Sequence, residues 1–339
     1  MKKVFTNTTC LILTLGIPAL LGILLSFAVL PPPQMEVVEV ITIPLGVSLH
    51  EVTHLLSSKG IIRSQTFFNL LVRCRRADTQ IKSGEYQFTN RMLLHEVLNK
   101  LIRGEQIKYS ITIPEGLTIA QIALLYEKLG MAEKNRFINV ASDLNFITSL
   151  GMQAETLEGY LFPDTYKFIR NIGEKNIIRS MVQRFNEVYG EEFKKRGQEL
   201  NLSQREVITF ASLIEKEAAC PRERPIISAV FHNRLKLHMP LQCDSTVIFG
   251  LKDFNGNLTK EDLKIRTPYN TYLISGLPPT PIASPGLDSI KAVLYPADVN
   301  YLFFVSRNDG THCFSSTLAE HNQAVNIYQR RNQEDYPPE

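Results

Sequence analysis

Ile41-Thr42-Ile43-Pro44 and Ile111-Thr112-Ile113-Pro114 are the same four residues, 70 positions apart in a chain of 339 residues. The same offset holds further along both copies, where it pairs Gly46 with Gly116, Ser48 with Thr118, Val52 with Ile122, Leu55 with Leu125, Gly60 with Gly130 and Phe67 with Phe137. A constant offset over this many positions indicates an internal repeat. The residue pattern of each copy predicts a strand, then a glycine turn, a capped helix that ends at a glycine, and a second helix.

Both copies carry signals for a helix start and for a closing strand. Ser48 stands three residues before Glu51, and Thr118 stands three residues before Gln121, which is the spacing of a capping box. The closing strands are predicted at 82–88 and at Leu157–Phe162. The sequence therefore predicts two strand–helix–helix–strand modules, followed by a polar helical connector.

The N-terminal segment predicts a membrane anchor. Cys10–Leu30 is almost wholly apolar, and its 21 residues would span roughly 31 Å as a helix, about one bilayer core. Lys2 and Lys3 precede it, so the positive-inside rule places the N-terminus in the cytoplasm and the body outside. A cleaved signal peptide with a Ser26-Phe27-Ala28 site is the alternative, and the body is exported in both cases.

Composition limits the class of protein. Lys plus Arg number 37 and Asp plus Glu number 34, and this near balance argues against a dedicated nucleic-acid binder. A hydrophobic content of 44% excludes a disordered chain and allows a sizeable core. Outside the predicted anchor, no two cysteines form a CxxC pair, and the sequence does not pair them in disulfides; they are Cys74, Cys220, Cys243 and Cys313.

His50-Glu51-Val52-Thr53-His54 matches H-E-x-x-H, the pattern of a zinc metalloprotease. On a helix the two histidines would share one face, with the glutamate as general base. Three observations weaken this interpretation. Glu51 is already the capping-box residue, the second repeat builds the same helix without either histidine, and no third ligand is evident. We therefore predict no metal and no other cofactor.

The region after residue 200 contains a candidate general acid. Ser203 and Glu206 form another capping box, and the helix that they open presents Glu215-Lys216-Glu217 at its far end. The two glutamates lie about 160° apart around a helix, at opposite borders of its apolar face. A carboxyl beside apolar packing can stay protonated near neutral pH, as a general acid requires. The same run also fits a solvated helix end, and spacing alone does not choose between the glutamates.

Polar and aromatic side chains follow in three further strings. Leu241–Gly250 mixes polar residues with an apolar run, which suits either recognition of a polar ligand or a strand edge. Tyr269 and Tyr272 offer flat faces for sugar rings. Ser284-Pro285 predicts a helix start, with proline at the first helical position. A hairpin is predicted from 301 to 314 around Asn308-Asp309-Gly310, and Thr317 with Glu320 caps a last helix.

Taken together, these strings resemble the YceG-like family of endolytic murein transglycosylases. The matching stretches lie at 157–166, 211–217, 231–235, 241–250, 269–272, 276–279 and 283–286. Their order and spacing agree from the predicted anchor to about residue 330. Cys243 and Ser245 depart from the family pattern on either side of Asp244, which bears on fine substrate contacts.

The resemblance implies an α+β protein of the bacterial envelope, with a single transmembrane helix, two LysM-like modules and a mixed α/β catalytic domain. The expected order is a cytoplasmic N-terminus (1–9), the anchor (10–30), a Pro-rich linker (31–35), the modules (36–106 and 107–170), a connector (171–200) and the catalytic domain (201–339). It implies an inner-membrane, periplasm-facing enzyme that cuts peptidoglycan strands internally beside the synthases. No nucleic acid is expected as a partner.

By position, the resemblance assigns the family's catalytic glutamate to Glu217. A lytic transglycosylase needs no attacking water, because the muramyl C6 hydroxyl attacks its own C1, and one carboxyl can give and then take the proton. The candidates for the substrate cleft are Gln242, Asp244, Thr246, Asn270 and Tyr272. A hydrolase, a non-catalytic glycan-binding scaffold and the zinc protease stay open as alternatives.

Overall fold

A computed structural model describes residues 37–330 of the chain. The predicted anchor and linker lie outside the described residues, and within 37–330 no helix is long and apolar enough to cross a membrane. The described chain forms two compact units, one of residues 37–109 with 167–171 and one of residues 110–166 with 172–330. Helices and short paired strands occur in both copies of the repeat, so the mixed α/β class is confirmed.

The first unit has the strand–helix–helix–strand order that the repeat predicts. Its elements are β1 (Val38–Ile43), α1 (Leu49–Ser58), α2 (Gln65–Cys74), β2 (Gly84–Thr89) and α3 (Leu94–Arg103). The strands are antiparallel, with Val38 opposite Thr89 and Ile43 opposite Gly84. Their inward side chains, among them Ile41 and Phe88, form one apolar core with α1, α2 and α3.

The capping box at the start of α1 is present. The Ser48 Oγ accepts a hydrogen bond from the Glu51 N–H at 3.3 Å, and the Glu51 carboxylate accepts one from the Ser48 N–H at 2.7 Å. These bonds lower the pKa of Glu51. His50 and His54 line a mostly apolar cavity of about 320 Å³ with their neighbours. Over residues 37–330, no three His, Cys, Asp or Glu side chains are grouped to hold a metal ion.

The second copy repeats the order with one added helix and a shifted closing strand. Its elements are β3 (Tyr109–Thr112), α4 (Ile119–Lys128), α5 (Lys134–Ala141), α6 (Leu144–Ser149) and β4 (Thr165–Phe168). The closing strand predicted at Leu157–Phe162 is wrong, because this segment is a buried turn. Gly159 has a φ of +84°, and the Glu158 carboxylate folds back to accept the Ile119 N–H at 3.1 and 3.2 Å.

The rest of the second unit is mainly helical. It contains α7 (Glu174–Val188), α8 (Glu191–Glu199), α9 (Gln204–Glu217), α10 (Arg224–Lys236), α11 (Asp244–Gly250), α12 (Leu287–Leu294), the hairpin β5 (Phe303–Ser306) and β6 (His312–Ser315), and α13 (Leu318–Val325). The helical connector, the capped helix from Ser203, the hairpin and the last helix are confirmed.

The helix start predicted at Ser284-Pro285 is wrong by two residues, because α12 begins at Leu287 with Gly286 as its N-cap. The backbone of Ser284 is engaged elsewhere. Its N–H donates to the Leu117 carbonyl, and its carbonyl accepts from the Gly116 N–H, each at 2.8 Å. A segment held in this extended pairing with the second copy is not available to join the helix.

Helix α9 is the centre of the second unit and carries the candidate acid at its end. Its middle is fully buried, and Phe210, Leu213 and Ile214 are each 0% exposed. It packs against α10 and α12, which supply further buried apolar side chains. The helix ends at Glu217, where Ala218 leaves the helical conformation. The core therefore fixes the position of a carboxyl at a helix terminus.

Candidate active site

Glu217, the last residue of α9, faces a cavity of about 210 Å³. The Ser245 hydroxyl, near the start of α11, donates a hydrogen bond to Glu217 Oε1 at 2.8 Å. The residues that line the cavity come from α9, α10, the segment before α11, the first residue of α11, the loop near 272, β5 and α13; they are Glu217, Arg234, Leu241, Gln242, Asp244, Tyr272, Phe304 and His321.

The environment of Glu217 favours its protonated form. Burial raises the pKa of Glu217 above its ordinary value, and the negative charge of Asp244 acts in the same direction. The bond from Ser245 and the charge of His312 oppose the rise in this pKa without reversing it. A carboxyl that holds its proton at the wall of a cavity can donate that proton to a leaving oxygen.

Glu215, the other glutamate of the run, is bound to the protein. Its carboxylate pairs with Arg224 at 3.1 Å and accepts hydrogen bonds from the Gly286 N–H at 2.9 Å and the Ser289 hydroxyl at 2.7 Å. These contacts join α9, α10 and the start of α12. The structure thus separates the two glutamates: one holds three helices together, and the other faces the cavity.

Three of the predicted substrate contacts line the cavity. The Tyr272 hydroxyl donates a hydrogen bond to Asp244 Oδ1 at 2.6 Å, which links the loop near 272 to the start of α11. Gln242 has a φ of +54°, a conformation that costs free energy for a residue with a side chain. Its N–H donates to the Thr271 carbonyl at 3.1 Å, which holds the residue at the cavity wall.

Thr246 and Asn270 do not line the cavity, and both are 0% exposed. The Thr246 hydroxyl bonds to the Cys243 carbonyl at 2.7 Å and to the Thr271 hydroxyl at 2.8 Å. The Asn270 amide donates to the carbonyls of Leu263 and Ile265. Both side chains shape the loops around the cavity, and the predicted contact with substrate has no support from their position.

The sequence did not predict four of the cavity-lining residues, Arg234, Leu241, Phe304 and His321, nor the Ser245 hydroxyl that binds Glu217. Arg234 belongs to the Phe231–Leu235 string that carries the resemblance, and Ser245 lies inside the polar strip, so both were visible as motif members. Phe304 and His321 come from the hairpin and the last helix, far away in sequence. The strip from residue 244 is a helix and not a strand edge. No local pattern shows which of its side chains face the cavity.

The chemistry that this arrangement supports is proton transfer. The Glu217 carboxyl, whose pKa is raised, accepts a hydrogen bond from a hydroxyl, the Asp244 carboxylate lines the same cavity, and Arg234 supplies a positive charge there. A further pair, in which the Glu223 carboxylate bonds to His312 Nδ1 at 2.7 Å, lies close enough to act on the Glu217 charge. The four described cysteines are free thiols.

Comparisons with known proteins agree with this architecture. The sequence model of the YceG-like family matches residues 41–327. A Bacillus subtilis protein named endolytic murein transglycosylase is 34% identical over 85% of this chain and 84% of its own length. A Streptococcus pneumoniae protein of the same name is 29% identical over 84% of this chain, which spans 57% of that longer protein.

A solved structure is similar as well. The crystal structure of a yceG-like protein from Listeria monocytogenes superposes with a TM-score of 0.59 and 30% identity, covering 84% of this chain and 98% of that one. The match of the family model runs from β1 to the residues after α13, so it includes the repeat and every cavity residue. The chain therefore belongs to the YceG-like family.

Proposed function

We propose that this protein is an endolytic peptidoglycan lytic transglycosylase, a lyase with Glu217 as its catalytic acid and base. The observation that carries the proposal is the Glu217 carboxyl, whose pKa is raised by burial at a cavity wall, in a chain of the YceG-like family. Two relatives bear the name endolytic murein transglycosylase, which gives peptidoglycan as the substrate.

In the proposed mechanism Glu217 acts twice. It first donates its proton to the glycosidic oxygen, so that the bond from that oxygen to the muramyl C1 breaks. The muramyl C6 hydroxyl then forms a bond to C1, and the Glu217 carboxylate accepts the hydroxyl proton. The product carries a 1,6-anhydro end, and no water is consumed. Such acid–base help accelerates a reaction by typically about 10²–10⁴-fold.

The other cavity residues have supporting roles in this mechanism. The Ser245 hydroxyl orients the Glu217 carboxyl, and the Asp244 carboxylate, which lines the same cavity, would stabilise positive charge that develops on the sugar ring. Asp244 is also what a hydrolase would use to activate water, because ordinary glycosidases employ two carboxyl groups. The chemical form of the new sugar end distinguishes the two reactions.

We further propose that the chain is anchored in the inner membrane by residues 10–30, with the described units in the periplasm beside peptidoglycan synthases. The support is the uncharged apolar run and its flanking lysines. The two strand–helix–helix–strand copies are proposed to be LysM-like modules that bind glycan strands, on the basis of their element order.

The test is digestion of purified glycan strands by the wild type and by Glu217→Gln, with mass spectrometry of the products. We expect anhydro-muramyl ends from the wild type and none from the variant. Glu206→Gln is the matched control, since it changes a glutamate at the other end of α9 to a residue that also completes a capping box. Full activity in Glu217→Gln would remove Glu217 from the mechanism, reducing ends would indicate a hydrolase, and binding without cleavage would indicate a scaffold.

A further inference from the structure

Arg234 is a buried cation in the cavity wall, and it is only 7% exposed. Among the ion pairs of residues 37–330, none includes Arg234. Its Nε donates to the Leu302 carbonyl at 2.6 Å, and its Nη1 donates to the carbonyls of Pro240 and Leu241 and to Gln242 Oε1. These neutral acceptors satisfy two of its three nitrogens and leave its charge without a counter-ion.

The third nitrogen, Nη2, has no hydrogen-bond partner in the described part of the chain, and it is not among the atoms sealed from solvent. A guanidinium presents its donors in a planar fork that fits the two oxygens of a carboxylate. Burying a positive charge without an anion is costly, and proteins normally compensate it with an acid. Here the open nitrogen belongs to a residue that lines the same cavity as Glu217.

Within residues 37–330, the side chains around the Arg234 guanidinium add a hydrogen-bond donor and no negative charge. Because its Oε1 accepts from Arg234, the Gln242 amide keeps its NH₂ group as a donor. The Phe303 ring centroid lies 5.2 Å from the Arg234 Cζ, and the same ring stacks against His321. Burial and the Arg234 charge lower the pKa of His321, so its ring is neutral at neutral pH and adds no second positive charge.

We propose that Arg234 and Gln242 form an anion subsite that binds a carboxylate carried by the muramyl sugar. This inference rests on the proposed function. Of the two sugars in a peptidoglycan strand, only the muramyl unit has a lactyl substituent, which ends in a free carboxylate when the strand is peptide-free and in a stem peptide otherwise. A cation at this position selects the muramyl unit for the cleavage point, since a glucosamine unit has no group to pair with it.

The test compares ligands on one protein, the full chain carrying Glu217→Gln, so that no ligand is cleaved. The ligands are peptide-free peptidoglycan oligosaccharides, the same oligosaccharides with their carboxyls reduced to alcohols, and chitooligosaccharides of equal length. We expect the carboxylate form to bind about 10- to 100-fold more tightly than either of the others. Equal dissociation constants for the carboxylate and the reduced form would overturn the subsite.

Peptide-bearing oligosaccharides distinguish the two sources of the carboxylate. Binding as tight as that of the peptide-free form assigns the contact to the stem peptide as well, and binding as weak as that of the reduced form assigns it to the lactyl carboxylate alone. Arg234→Met in the Glu217→Gln chain should abolish the preference, while Lys236→Gln, which removes an exposed charge from the same helix, should keep it. A preserved preference in the Arg234 variant would also contradict the proposal.

This experiment separates the inference from the function on which it rests. The subsite alone would be overturned if the wild type produced anhydro ends while the Glu217→Gln protein bound the carboxylate and reduced oligosaccharides equally. Protein that yields no anhydro ends from any strand would overturn the proposed function, whatever it binds. Because the ligand comparison needs no change at Arg234, a folding defect of the Arg234 variant leaves the result interpretable.

Discussion

Glu158→Gln should remove a pH dependence from the stability of the second unit. Glu158 is 8% exposed, and burial raises its pKa from an ordinary 4.5 to about 7, against the hydrogen bonds from Ile119 and Gly159 that favour its charged form. A group whose pKa is raised by folding stabilises the protein below its unfolded pKa, and this contribution is lost as the pH rises through the folded value.

The magnitude follows from the displacement of the pKa. Each pKa unit corresponds to about 1.36 kcal/mol, so a rise from 4.5 to about 7 corresponds to about 3 kcal/mol of unfolding free energy lost between pH 4 and pH 8. The glutamine that replaces Glu158 in the variant is neutral throughout. The unfolding free energy of the variant minus that of the wild type should therefore increase by about 3 kcal/mol over this range.

Urea unfolding at several pH values, followed by circular dichroism, measures this difference, because the chain has no tryptophan to report by fluorescence. Hydrogen exchange of the α4 amides locates the effect, since Glu158 contacts the start of that helix. Glu206→Gln is the control. Hydrogen bonds with Ser203 lower the pKa of Glu206, so the difference in unfolding free energy between this variant and the wild type should not change with pH above pH 5. Parallel wild-type and Glu158→Gln curves from pH 5 to pH 8 would refute the reasoning and show that the hydrogen bonds outweigh burial.

Three further substitutions test the site and the turn at Gly159. Ser245→Ala removes a bond that favours the charged form of Glu217, so the pKa of Glu217 should rise and the alkaline limb of the pH–rate profile should move to higher pH. Asp244→Asn removes the neighbouring negative charge, and the same limb should move to lower pH; a common direction in both variants would contradict the electrostatic account. Gly159→Ala should cost about 2–5 kcal/mol in urea unfolding, since its φ is +84° and a Cβ would lie 2.4 Å from the Pro281 Cβ; an unchanged midpoint would show that the turn can relax.

Much of the fold is readable from the sequence because its signals are local. Capping boxes fix helix starts through contacts three residues apart, and they are present at Ser48, Thr118, Ser203 and Thr317. The hairpin near Asn308 likewise follows from its turn residues. Where the expectation fails, at Leu157–Phe162, a distant partner decides the conformation: a carboxylate binds a helix terminus 39 positions earlier. Strand propensity carries no information about such a contact.

The site residues show the same contrast between local sequence signals and contacts with distant residues. Helical geometry places Glu215 and Glu217 on opposite borders of α9, but only the arrangement of α10 and α12 decides which border faces a cavity. Arg224 and Ser289 bind one carboxylate, which leaves the other as the candidate acid. Thr246 and Asn270 also look like cleft residues in the sequence, but both are 0% exposed and their side chains bind backbone carbonyls of the neighbouring loops.

The two copies of the repeat show how one fold can acquire two different environments. Glu115 in the second copy occupies the position of Leu45 in the first, and both follow the shared Ile-Pro dipeptide. Leu45 is 90% exposed, whereas Glu115 pairs with Arg224 at 3.4 Å and the adjacent Gly116 bonds to Ser284. The glutamate at this position of the second copy, where the first copy has leucine, thus contacts Arg224, the cation that also binds Glu215. The second copy therefore acts as a structural support of the helix that ends at the candidate acid, a role that the repeat pattern itself does not reveal.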